Sequence, residues 1–128
     1  MKVFLVEDSP LLRTRMEAML SAIPGASLVG HAGDAEAAIR GIVETAAEVV
    51  VLDIQLERGS GFDVMRALNG HTPGVDFYVL TNFANDGYRK AAERLGARGF
   101  FDKSNELDAL RAALAARALR APPHANPE

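Results

Sequence analysis

Five short runs of aliphatic and β-branched residues alternate along the chain with five stretches in which apolar residues recur at helical spacing. Val3, Phe4, Leu5 and Val6 form an unbroken apolar run, the pattern of a strand buried on both faces. Ser9 and Pro10 follow as an N-cap and an N1 proline. The helix they start carries Leu12, Met16, Met19, Leu20 and Ile23 on one stripe and ends at Pro24-Gly25. Ser27 to His31 reads as a modest second strand. Asp34 is expected to cap a second helix, with its stripe on Ala35, Ile39, Ile42, Val43 and Ala46. Val49 to Asp53 is the clearest strand, and a glycine-bearing loop from Ile54 to Ser60 follows it. Phe62, Met65 and Leu68 mark a short third helix that stops near Asn69-Gly70. Val75 to Thr81 reads as a fourth strand. From about Asn85 to Leu95 a helix with a weak apolar face (Ala91, Ala92, Leu95) is closed by Gly96 as C′ glycine. Gly99-Phe100-Phe101 is a short fifth strand. Asn105 is expected to cap a last helix with Leu107, Leu110 and Leu114 inward, its acids early and its arginines late, as the helix dipole favours. Ala121-Pro122-Pro123 ends that helix, and 121–128 is expected to be a disordered tail or the start of a linker.

A five-fold βα alternation implies an α/β domain with a parallel sheet covered by helices on both faces and joined by right-handed crossovers. For five such units the expected arrangement is a (βα)5 flavodoxin-like three-layer sandwich with strand order 2-1-3-4-5. The 128 residues, 48% of them hydrophobic, suit one such domain over residues 1–120. The 14 basic and 17 acidic residues leave a net charge of −3, with no basic footprint for nucleic acid and no cationic face for a membrane. No cysteine is present, so disulfide and thiol chemistry are excluded. No apolar run approaches the ~20 residues that span a bilayer, and the chain reads as soluble and cytoplasmic.

Ligands of open parallel sheets bind beyond the carboxyl ends of the strands, so the residue at each strand end tests for a site. Strand 1 ends in Glu7-Asp8, strand 3 in Asp53 and strand 4 in Thr81, and Lys103 follows strand 5. In the expected order these four strands are neighbours, so three carboxylates, a hydroxyl and an ammonium converge. Two unit charges 4 Å apart repel by about 4 kcal/mol at an effective dielectric near 20. A hard divalent cation relieves that, and an oxygen-only ligand set suits Mg²⁺ or Mn²⁺. A carboxylate-bound metal is also what phosphoryl transfer uses. Lys103 and Thr81 could then hold phosphate oxygens while Asp53 serves as a carboxylate nucleophile.

The order Glu7-Asp8, Asp53, Thr81, Lys103 resembles the response-regulator receiver family from Lys2 to about Leu119. The segment from Val50 to Leu56 is similar to that family's phosphoacceptor strand. Gly61 falls where the family places a glycine, and Gly96 to Lys103 matches its G-A-x-G-aromatic…K segment. The resemblance implies a switch rather than an enzyme: a histidine kinase or phosphotransfer protein donates a phosphoryl group to Asp53, and a downstream effector domain or protein reads the result. It implies Mg²⁺ on Asp8, Asp53 and the backbone carbonyl of Gln55, with Glu7 acting through metal-bound water. Thr81 and Lys103 would hold the phosphoryl oxygens with help from the Asn82 N–H, and Phe100 would be the switch aromatic, turning inward as Thr81 moves toward the phosphate. A homodimer through the alanine-rich last helix is a further implied partner. Direct nucleic-acid or membrane binding is not.

Three positions depart from the common pattern. Glu57 replaces a usual proline, so the loop after Asp53 is expected to be looser. Ser104 replaces the proline that often follows the lysine, and a cis peptide there loses the residue that makes it cheap, since a non-proline cis bond costs ~3–4 kcal/mol. Asn82 occupies a position that is usually small, and with Phe83 after it is expected to restrict water access and slow dephosphorylation. Taken singly, Asp8 is as easily a helix cap, Glu7 a loop acid, Thr81 a strand residue and Lys103 a surface lysine. Their coincidence on four strand ends is what favours the functional reading. A phosphatase of haloacid-dehalogenase type needs a second acid two residues after Asp53, where Gln55 stands. A degenerate receiver acting only in protein interaction is disfavoured by the complete acidic, Thr and Lys set. His31, His71 and His124 are scattered and read as surface or loop residues, and Gly59-Ser60-Gly61 has no following Gly-Lys-Ser/Thr to make a P-loop. Both a stand-alone regulator and the receiver part of a longer protein fit the sequence.

Overall fold

The computed structural model describes residues 1–71 and 74–120. The strands are β1 (Lys2–Val6), β2 (Ser27–Ala32), β3 (Val49–Leu52), β4 (Asp76–Thr81) and β5 (Gly99–Asp102). The helices are α1 (Pro10–Ser21), α2 (Ala35–Thr45), α3 (Gly61–Ala67), α4 (Asp86–Arg94) and α5 (Leu107–Leu119). All strand pairs are parallel and the order is β2-β1-β3-β4-β5. This is the flavodoxin-like three-layer arrangement expected from the alternation.

Strand side chains alternate between two cores. Val3, Leu5, Val49, Val51, Tyr78 and Leu80 pack under α1 and α5, against Met16, Leu20, Leu110 and Leu114. Phe4, Val6, Val50, Leu52, Phe77, Val79 and Phe100 face the other way, against Ala38, Ile42, Val64, Met65 and Ala92. Because both faces are covered, the central strands are apolar at every position rather than at every second one. The expected segment from 121 to 128 lies outside the described residues.

Local chemistry starts the helices. Ser9 Oγ accepts from the Leu12 N–H at 3.3 Å, Asp34 Oδ1 from the Ala37 N–H at 2.8 Å and Asn85 Oδ1 from the Tyr88 N–H at 2.8 Å. Ser60 and Asp63 form a reciprocal capping box at the start of α3. Gly96, at φ +89°, closes α4 as the expected C′ glycine, with the Ala97 N–H bonded to the Ala92 carbonyl.

Two expectations fail. Asn105 does not cap α5. Glu106 occupies the N-cap without a side-chain cap bond; its carboxylate instead accepts from the Asp102 N–H at 2.9 Å, and its own N–H donates to the Asp102 carbonyl. In α2 the buried face is Ala35, Ala38 and Ile42, while Val43 is 46% exposed and Ala46 has left the helix in a left-handed conformation with φ 55°. The buried stripe is therefore rotated from the expected one, away from Val43 and toward Ala38.

The loop expected to be loose is anchored. The Ala35 N–H donates to the Arg58 carbonyl at 3.0 Å, the Gly61 N–H to the Ile54 carbonyl at 2.9 Å, and Gln55 bridges Ser60. At the far end of the sheet, Asp76 accepts from Arg117 at 2.8 Å and Arg98 at 3.1 Å, tying β4 to α5. Burial works to raise the Asp76 carboxyl, but its bonds to the two guanidiniums and their charges outweigh that and hold it below the usual carboxylate value.

Candidate functional site

The strand ends meet. The Glu7 N–H donates to the Ala32 carbonyl, the Asp53 N–H to the Val6 carbonyl and the Lys103 N–H to the Thr81 carbonyl, so ladder bonds hold three of the side chains at the sheet's edge. Glu7, Asp53 and Thr81 are the buried polar residues among those described. Lys103 Nζ lies 2.8 Å from Glu7 Oε1 and 2.6 Å from Asp53 Oδ2. The remaining carboxylate oxygens have partners as well: Glu7 Oε2 accepts from the Ser9 N–H at 3.0 Å and Asp53 Oδ1 from the Gln55 N–H at 3.1 Å.

Burial works to lower the Lys103 pKa, since it disfavours the ammonium. The hydrogen bonds to Asp53 and Glu7 and their charges outweigh it and raise the value above that of an ordinary lysine. Lys103 is therefore charged at neutral pH and neutralises part of the acid pair.

Asp8 is exposed at the rim. Glu7, Asp8 and Asp53 each offer one carboxylate oxygen, and these oxygens lie within 4.8 Å of one another. The residues present fit a hard divalent cation: the donors are all oxygen, two are buried, and the third opens to solvent. Gln55 stands on the exposed loop beside Asp53 with its N–H committed to Oδ1.

Gly61 has a steric reason. A Cβ there would collide with the carbonyl oxygen of Asp53 and come within 3.1 Å of Ile54 Cα. Only glycine lets the start of α3 close over the Asp53–Ile54 backbone. Thr81 Oγ accepts from the Phe83 N–H at 3.1 Å, and its hydroxyl proton has no partner among the described residues. Asn82 is exposed and Phe83 is 49% exposed beside it. The Ser104 N–H donates to Asp102 Oδ1 at 2.8 Å, a bond a proline could not make.

Phe100 is turned inward, 7% exposed, and the Arg89 guanidinium stacks over its ring at 4.7 Å from the centroid. Sequence reasoning did not single out Arg89. It sits on a helix with a weak apolar pattern, and only the packing of α4 against β5 brings it to the ring.

A family model described as the response regulator receiver domain matches residues 3–115. The chain belongs to that family. As a receiver it is a component of two-component signalling. It is 32% identical to the DNA-binding transcriptional activator DevR/DosR of Mycobacterium tuberculosis, over 80% of this chain and 47% of that protein. It is 31% identical to protein-glutamate methylesterase/protein-glutamine glutaminase 5 of Anaeromyxobacter dehalogenans, over 88% of this chain and 35% of that protein. The chain thus spans about half or less of the curated relatives it matches. Among solved structures, a two-component response regulator of the LuxR family from Aurantimonas sp. superposes with a TM-score of 0.84 at 26% identity, over 91% of this chain and 84% of that one. Among the described residues no helix is long and apolar enough to cross a membrane.

Proposed function

We propose that this receiver accepts a phosphoryl group on Asp53 from the phosphohistidine of a histidine kinase or phosphotransfer protein. The observation that carries the reading is the placement of Lys103 Nζ between Glu7 and Asp53, at the mouth of the sheet. One Asp53 carboxylate oxygen attacks phosphorus, the new O–P bond forms as the P–N bond breaks, and the imidazole leaves and takes up a proton. Lys103 exchanges its contact with the carboxylate for one with a phosphoryl oxygen. Thr81, its hydroxyl proton uncommitted, donates to another, with the Asn82 N–H assisting. Asp8, Asp53 and the Gln55 carbonyl, with Glu7 behind them, would hold Mg²⁺ or Mn²⁺, which would supply charge to offset the phosphoryl oxygens. Residues 1–120 are read as one receiver unit, in a cytoplasmic protein whose output lies with an effector domain or partner.

Hydrolysis by a phosphatase mechanism would need a general acid two residues after Asp53, and the Gln55 amide carries no transferable proton. Incubation with acetyl phosphate and Mg²⁺ should add one phosphoryl group, and Asp53→Asn should abolish it. An unmodified wild type, or equal modification of the variant, contradicts the reading. We infer that Asn82 and Phe83, both exposed just after Thr81, screen the acyl phosphate from water. Replacing both by alanine should speed dephosphorylation several-fold, and an unchanged lifetime would remove that role from them.

A further inference from the structure

Of the five helices α4 has the fewest buried residues, Ala92 alone. Two adjacent side chains grip other elements instead. The Tyr88 ring meets Phe62 of α3 edge-on, with centroids 5.9 Å apart. Arg89 holds one β5 residue twice: its guanidinium stacks on the Phe100 ring at 4.7 Å, and Nη1 donates to the Phe100 carbonyl at 3.4 Å. Phe100 has no hydroxyl with which to hydrogen-bond in place, so this stack and the apolar packing beneath hold its ring.

Two points in the N-terminal half of α4 lead back to the site. At its start, Asn85 caps the helix, the Asn85 N–H bonds the Phe83 carbonyl at 2.9 Å, and the Phe83 N–H bonds Thr81 Oγ at 3.1 Å. At the Arg89 contact the path passes through Phe100 along β5 to Lys103, which lies 2.6 Å from Asp53. We propose that Arg89 is a positioning residue for the phosphoryl site: its stack on Phe100 sets α4, α4 sets the turn from Thr81 to Asn85, and that turn sets the Thr81 hydroxyl. This rests on the reading of Asp53 as phosphoacceptor. The direction follows from the Thr81 bond. The hydroxyl accepts from Phe83 and donates to no other group among the described residues, so a turn that holds its oxygen leaves its proton for an anion. Loosening the stack disorders that turn and weakens binding of the anion.

The probe is beryllofluoride with Mg²⁺, titrated into the full chain and followed by the amide signals of residues 81–85. Arg89→Ala and Arg89→Met should each weaken beryllofluoride binding about three- to tenfold, the range a half-buried cation–π contact supports. Arg89→Lys, which keeps a cation over the ring, should recover most of the loss. Titration with Mg²⁺ alone should give the same affinity in all four proteins, because the carboxylates are not on the path. Equal beryllofluoride affinity in Arg89→Ala and wild type overturns the proposal, even if the variant melts earlier, since a purely structural arginine lowers stability without changing anion affinity. Recovery by methionine as complete as by lysine also overturns it. Failure of the phosphoacceptor reading looks different: wild type then binds no beryllofluoride, or Asp53→Ala binds it equally well.

Discussion

Lys103 places one ammonium between two buried carboxylates, 2.8 Å from Glu7 and 2.6 Å from Asp53. Sequence reasoning located all three residues but assigned Lys103 to phosphate. Its bond to Glu7 could not be read, because it depends on how far a side chain from the end of β5 reaches across β3 and β4. The consequence is a site that is held together electrostatically before any metal arrives. Removing one partner of a buried ion pair typically costs about 3–5 kcal/mol, because the charges left behind stay buried. Lys103→Met should therefore lower stability in metal-free buffer by about 3 kcal/mol, read from urea denaturation. Excess Mg²⁺ should return part of the loss, since a ligand of the native acid cluster stabilises it by mass action. Equal stability of variant and wild type without metal contradicts this. Because the folded-state value of Lys103 is raised, its contribution is complete below the ordinary lysine value of 10.5 and fades as pH rises through the folded value.

At the scale of the element, α2 shows where a periodic pattern informs and where it misleads. The stripe placed Ala35 and Ile42 inside, but Val43 points out, because hydrophobicity alone does not say which side of a helix a small residue such as Ala38 lets approach the sheet. Two glycine–alanine exchanges on this helix should run against helix propensity. Gly41 lies in the helix interior, where alanine is normally better by about 1 kcal/mol. A Cβ there would sit 2.6 Å from the Phe4 ring tip, and Gly30 crowds the same ring at 2.8 Å. Overpacking a core costs about 1–3 kcal/mol, so Gly41→Ala should be neutral to destabilising rather than stabilising. Ala46 is exposed and left-handed at φ 55°, in the C′ position that favours glycine. Ala46→Gly should raise stability by about 0.5–1 kcal/mol. Thermal or urea midpoints of the two variants check both signs, and a stabilising Gly41→Ala would mean that Phe4 repacks freely. The cap at α5 was misread for a related reason: Asn105 has a capping side chain, but the reciprocal bonds of Asp102 with Glu106 take over the turn.

For the whole molecule, strand order is what turns scattered residues into a site. Glu7, Asp53, Thr81 and Lys103 are far apart in sequence, and each has an ordinary structural explanation when taken alone. A parallel sheet in the order β2-β1-β3-β4-β5 sets the ends of β1, β3, β4 and β5 side by side. The alternation of apolar runs and helical stripes was enough to derive that order, so most of the site was legible. Arg89 was not, since nothing in the pattern of α4 marks the face that meets Phe100. A phosphoryl group on Asp53 would carry about −1.5 to −2 charge in place of the carboxylate's single negative charge. Inverting a 99-to-1 resting equilibrium would require about 5.5 kcal/mol of differential stabilisation, within reach of new charge-assisted bonds to Lys103 and Thr81 together with a metal. Whether a phosphoryl group forms at Asp53 can be read directly by treating the protein with acetyl phosphate and Mg²⁺, reducing the acyl phosphate with borohydride and mapping the peptides. Homoserine at position 53 alone is the expected result. Homoserine at another acid, or none while the protein remains folded and metal-loaded, would contradict it.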